Sequence, residues 1–221
     1  MRKQLTDQQI EAFRARLIRA AEKLFAAHGV AGVTMRQIAQ ALGYSQTAAY
    51  RYFANKEEIV AAVRTAALDR FCSRLEAAFD PANDARTNAR KVGNAFLQFA
   101  LDHPDSYRLI FDTQHPEGAQ FSDSGQNMKR FHATRTTYVQ GLIDEGLVVG
   151  DADTLGLSFT AAAHGIIMLH FSGLLPSVEA HDALHRVTTR LIYQGARAPA
   201  AALVSRRRPA LVTAKGRGRR T

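Results

Sequence analysis

The chain has 221 residues, 46% hydrophobic and 22% charged, the composition of an ordinary globular protein long enough to bury a full core. Its single cysteine, Cys72, excludes an internal disulfide and any multi-cysteine metal site, and suits a reducing compartment. Residues 1–64 carry ten Lys/Arg against five Asp/Glu and residues 197–221 carry eight against none, so the net charge of +9 sits at the two ends, where it fits a polyanionic partner as well as a solubilising surface.

Apolar residues recur at helical spacing almost throughout, which predicts an all-α chain. A first helix over about 7–28 carries Ile10, Phe13, Leu17, Ala21, Leu24 and Phe25 on one stripe and stops at Gly29, a left-handed C-cap. Thr34 opens a short second helix, with Gln37 completing a capping box and Met35, Ile38, Ala39 and Leu42 turned inward, and Gly43 ends it. Ser45 caps a third helix reaching about Phe53. Asn55, with Glu58 three residues on, starts a long fourth helix carrying Ile59, Val63, Ala67, Phe71 and Leu75. Asp80–Asp84 reads as the turn out of it. Further helices are expected over 84–102, 104–112, 126–145, 153–172 and 178–196, with a loop over 113–125 and a basic disordered tail from 197. The longest apolar stretch, Leu155 to Leu175, is interrupted by Ser158, Thr160, His164, His170 and Ser172, so it reads as a buried core helix rather than a membrane span. The opening residues MRKQLTDQQIE lack the apolar segment of a signal peptide, and the expected location is the cytoplasm.

The informative segment is Thr34 to Phe53. A short helix, a tight turn at Gly43 and a second short helix make a crossed pair that sets the second helix in a major groove. Ala39 is small enough for the crossing, and Ile38, Leu42, Ala49 and Phe53 close a miniature core. Gln46 and Thr47 are then free to reach base edges, Gln by a bidentate pair with adenine and Thr by hydroxyl and methyl. Arg36 is a candidate guanine or phosphate contact, Tyr50 and Tyr52 are candidate phosphate donors, and Lys56 adds charge in the first turn of the fourth helix.

Ala20-Ala-Glu-Lys-Leu-Phe-Ala-Ala-His-Gly29, Val33-Thr-Met-Arg-Gln-Ile-Ala, Leu42-Gly-Tyr-Ser and Ala49-Tyr-Arg-Tyr-Phe-Ala-Asn-Lys-Glu-Glu58 resemble the N-terminal domain of TetR-family repressors. The resemblance implies a helix-turn-helix DNA-binding head over 1–60, an effector-binding and dimerisation body over 61–196, and release from palindromic operator DNA when a small hydrophobic effector binds. It places Thr34, Arg36, Ser45, Gln46, Thr47, Tyr50, Tyr52 and Lys56 at the family's DNA contacts. Ala48-Ala49 departs from the bulkier residue common there. His103-Pro-Asp-Ser-Tyr-Arg-Leu-Ile-Phe111 and Ala163-His-Gly165 resemble the C-terminal domain type named for a Trp-His-Gly signature, with Ala163 in place of its Trp. That type implies a homodimer through the last two helices, where Gly156, Ala162, Ala163 and Gly165 permit close approach.

For an effector pocket between body helices, the candidates are Phe96, Phe99, Tyr107, Phe111, Met128, Phe131, His132, Tyr138 and Met168. His103, His132, His164 and His170 lack the context of a metal site, and neither a metal nor a cofactor is expected. An enzyme would need a nucleophile elbow, a phosphate-binding glycine loop or a HExxH pair, and the sequence has none of these. A helical protein-binding adaptor would leave the basic head unexplained.

Overall fold

The computed structural model describes residues 6–111 and 125–197, and every regular element among them is an α-helix. The helices are α1 (Asp7–His28), α2 (Met35–Gln40), α3 (Gln46–Ala49), α4 (Lys56–Ala78), α5 (Ala85–Asp102), α6 (Pro104–Phe111), α7 (Gly125–Asp144), α8 (Ala152–Phe171) and α9 (Val178–Gly195). The loop expected over 113–125 lies outside the described residues except for Gly125, which opens α7, and the tail expected from 197 lies outside them except for Arg197.

Capping side chains fix most of the N-termini. Thr6 and Thr34 each complete a capping box with Gln9 and Gln37, and Ser45, Asn55, Asp84, Asp151 and Ser177 each accept a backbone N–H of the first turn. Gly29 ends α1 at φ 70 and ψ 159, so it is not the left-handed helical cap expected from sequence. Glycine is still required, because that φ is hostile to an L side chain even though nothing crowds the position.

The helix expected through Phe53 stops at Ala49 and continues as turns to Phe53. The Arg14 guanidinium donates to the Tyr52 carbonyl and sits 4.2 Å from the Phe53 ring centroid, so α1 ties the end of this segment in place of further helix.

Two apolar clusters lie along α4. The first joins α1, α2 and α3 to the start of α4 through Leu17, Ala21, Ile38, Ala49, Phe53, Ile59 and Val63. The second begins at Ala67 on α4 and takes in Phe71, Phe96, Phe99, Tyr107, Phe131 and Ile167. Polar contacts cross between them: the Glu22 carboxylate of α1 accepts from the Ser106 hydroxyl of α6 at 2.8 Å and from Arg70 of α4. On a neighbouring face of α4, Arg130 of α7 bridges Asp69 and Glu76, which raises the arginine pKa and lowers that of Glu76.

The expectation that Leu155–Leu175 is a buried core helix needs correction. α8 buries Gly156, Ala163, Ile166 and Ile167, whereas Leu157, Met168 and Leu169 are exposed. The reason is that α5, α7 and α9 cover part of its circumference and the rest is left open within one chain. By length and composition alone α8 is apolar enough to cross a bilayer. Gly156 has a role inside the chain: a Cβ there would lie 2.8 Å from Cγ of Arg135 on α7. Ala163 likewise packs into the body cluster.

Candidate nucleic-acid interface and body cavity

α2 and α3 are joined by a tight turn in which Gly43 takes φ 75 and the Tyr44 N–H returns to the Ala39 carbonyl at 3.0 Å. Ile38, Ala39, Ala49 and Phe53 are buried on the inner side of this pair. Arg36, Gln46, Thr47 and Tyr50 are exposed on the outer side. From Ala31 to Phe53 the chain has Arg36 and Arg51 and no acidic residue, so nothing on this stretch repels phosphate.

The remaining candidates are partly committed elsewhere. Thr34 and Ser45 are exposed, but their hydroxyls accept the first-turn N–H groups of Gln37 and Ala48. A capping hydroxyl keeps its own proton, and Thr34 directs it to Gln37 Oε1 at 2.8 Å while Ser45 Oγ–H is not so engaged. The Tyr52 ring is half-buried, 4.3 Å from the Phe13 ring centroid, so it supports the α1–α3 packing. The Lys56 ammonium donates to the Val30 carbonyl at 3.2 Å, which holds it beside the turn before α2. Tyr44 was read in sequence only as part of the turn motif. It is 40% exposed and stacks edge-on against Phe13 at 4.8 Å, which places a phenol next to the outer face. Its position two residues before the capped helix was the available signal.

A cavity of about 640 Å³ opens in the body between α5, α7, α8 and α9. Of the aromatic and other candidates read from sequence, Phe96, Phe131 and Tyr138 line it. Burial pushes the Tyr138 phenol up to about 12. Phe99 and Tyr107 are fully buried core, and Phe111 packs beside them. Met128, His132 and Met168 are exposed and lie off the cavity wall. Sequence reasoning missed the polar lining, which includes Arg86 and Arg90 on α5, Arg135 on α7 and Asp182, Arg186, Thr189 and Arg190 on α9.

His164 of the Ala-His-Gly segment shares a 2.8 Å hydrogen bond through Nδ1 with the Tyr107 hydroxyl, and burial lowers its pKa. Burial also lowers His185. A histidine held neutral in the fold binds its proton more readily once unfolded, so the stability these two allow is fully present above the ordinary histidine pKa of about 6.5 and is lost below it, as pH falls through their lowered folded values. The melting temperature is expected to fall between pH 7.5 and pH 5.5, and His164→Asn should reduce that fall. A pH dependence unchanged by His164→Asn would assign the effect elsewhere.

Comparison with known proteins gives a consistent picture. The family model described as bacterial regulatory proteins, tetR family, matches residues 17–63, and the model described as tetracyclin repressor-like, C-terminal domain, matches residues 89–194. The HTH-type transcriptional activator FasR of Mycolicibacterium smegmatis is 30% identical over 102 residues, which is 46% of this chain and 47% of FasR. The match therefore spans about half the length of that curated relative. Among solved structures, one of a protein with unknown function from Rhodococcus sp. RHA1 has a TM-score of 0.70 at 25% identity, covering 84% of this chain and 95% of that one. SmeT, the repressor of the Stenotrophomonas maltophilia multidrug efflux pump SmeDEF, has a TM-score of 0.62 at 18% identity, covering 86% of this chain and 93% of SmeT, a likeness of fold.

Proposed function

The chain belongs to the TetR family of transcription regulators, and from that premise we propose that it is a cytoplasmic repressor, without enzymatic activity, that binds a palindromic operator as a homodimer and leaves it when a small molecule enters the body. One observation carries the DNA-binding reading: Arg36, Gln46, Thr47 and Tyr50 stand exposed on the outer side of two crossed helices whose inner sides are fully buried. An exposed, acid-free helix pair of this kind enters a major groove.

The homodimer reading is supported by the apolar side chains that one chain leaves uncovered on its last two helices. Leu157 and Met168 of α8, Val187 and Leu191 of α9 and Leu174 between them are all exposed, Leu174 by 71%. A second copy covers such a surface by a two-fold contact, and two heads so joined would reach half-sites about 34 Å apart.

Gel shifts against the DNA upstream of its own coding sequence test the reading. Replacing Gln46 or Thr47 by Ala should cost about 1–3 kcal/mol at the matched base and relax sequence preference. Lys56→Ala should weaken binding to every sequence alike and flatten the salt slope by about one. Operator affinity unchanged in an Arg36, Gln46 and Thr47 triple alanine variant would sink the assignment of the reading face. Deleting the gene should raise transcription from the bound promoter. A fall would make the protein an activator, as its curated relative is named.

A further inference from the structure

α9 leaves both charged and apolar side chains uncovered within one chain. Asp182, Arg186, Thr189, Arg190 and Tyr193 recur at three- and four-residue spacing and line the body cavity, with Arg186 and Arg190 exposed at its mouth, while Val187 and Leu191 on another face are exposed as well. The same mouth is lined by Arg86 and Arg90, exposed and one turn apart on α5. Arg90, Arg186 and Arg190 have no ion-pair partner among the described residues, and Arg86 rests 5.8 Å from the Tyr193 ring centroid. The lining holds one acid, Asp182, and its carboxylate already sits 3.2 Å from His181 Nδ1.

Below this rim the walls are apolar, built from Val92, Phe96, Leu97, Phe131 and Ala163 of the body core. One further arginine lies deeper. The Arg135 side chain is 9% exposed and donates to Asp153 through one Nη, while its Nε has no hydrogen-bond partner. Like charges gathered at one cavity mouth repel one another, and an anion bound among them relieves that repulsion. Guanidinium forks match the oxygens of a carboxylate or phosphate in geometry as well as charge. A cavity of about 640 Å³ has the volume of a small organic ligand's site.

We propose that this cavity takes an amphipathic organic oxyanion, its apolar body against Phe96, Phe131 and Ala163 and its carboxylate or phosphate head among Arg90, Arg186 and Arg190. The binding stands on the lining alone, and its regulatory consequence rests on the effector control proposed above. The ligand is thereby narrower in class than a small hydrophobic molecule: an uncharged one leaves the arginine rim unmatched.

Calorimetric titration of the full-length protein with ten-carbon probes below their micelle concentrations tests this. Decanoate and decyl phosphate should each bind at least about tenfold tighter than 1-decanol, the effect of one charge-assisted contact, and decyltrimethylammonium should bind weakest. Whichever of the two anions binds tighter identifies the head group. Exchanging both Arg90→Gln and Arg190→Gln should bring the anions to within about threefold of decanol, with decanol binding retained as proof that the cavity is intact. Removing the same charge at exposed Lys91 and Lys129, as K91Q with K129Q, should leave the anion preference in place. Decanol binding as tightly as the anions, equal losses in the two double variants, or no binding of any decyl probe would each overturn the proposal. Anion binding without release of operator DNA would uphold it and refute effector release. Release by ligands that show no charge preference would do the reverse.

Discussion

Phe71→Ala is expected to lower the stability of the protein by about 4–5 kcal/mol, the upper end of the range for a buried aromatic cut to alanine. Phe71 is fully buried on α4, and five aromatic rings surround it: Phe96 and Phe99 at 5.1 Å between centroids, Phe131 at 5.5 Å, Phe111 at 5.9 Å and Tyr107 at 6.5 Å. Four of these contacts are edge-on, the geometry that adds to plain burial. The rings come from α5, α6 and α7, so no single neighbour can move in to fill the space without breaking its contacts with the others. For a chain of this length such a loss lowers the melting temperature by roughly 10–20 °C. Calorimetry at one fixed protein concentration, which keeps any dimer term constant, reads it directly. A loss below about 2 kcal/mol would show that the aromatic cluster collapses around the gap.

The helices and the capped turn of the head were legible in the sequence because each rests on contacts a few residues apart. Thr34 with Gln37, Ser45 with Ala48 and Asn55 with Glu58 are local hydrogen bonds, and the residues that make them announce them. The end of α3 was not legible, since it depends on Arg14 reaching across 38 positions to the Tyr52 carbonyl. The cavity shows the same divide. Phe96 and Phe99 are both apolar positions of α5 and carry the same periodic signal, yet Phe96 lines the space and Phe99 is core. The difference arises from where α9 stands relative to α5, which no local pattern encodes. The basic face of α9 was available in the spacing of Arg186, Arg190 and Tyr193. Spacing alone does not mark it as a cavity lining, because arginines at helical spacing ordinarily belong to a solvated face. Gly156 was read as an opening for a second subunit, whereas the nearest claim on that space is the Arg135 side chain of the same chain.

Phe53→Ala should act on one end of the molecule. Phe53 is 2% exposed, at the meeting point of α1, α2, α3 and the start of α4, with Arg14 over its ring. Its cluster reaches along α4 to Val63, and the body cluster starts at Ala67, so the two cores divide that helix between them. A loss of about 3–5 kcal/mol is large for the first unit, because about 60 residues hold only about 3–9 kcal/mol in reserve. The proposed division into head and body therefore predicts a local failure. Amide protection in α1 and α2 should drop by about 10²–10³-fold or more, the same free energy expressed as an opening constant, while protection in α5 and α8 stays near that of the unaltered protein. Operator affinity should fall by the fraction of heads left folded, and the fall should steepen on warming. Hydrogen exchange resolved by segment decides the matter. Equal loss of protection at both ends would mean that Glu22, Arg70 and Ser106 weld head and body into one cooperative unit, and effector binding would then have to be transmitted through that joint.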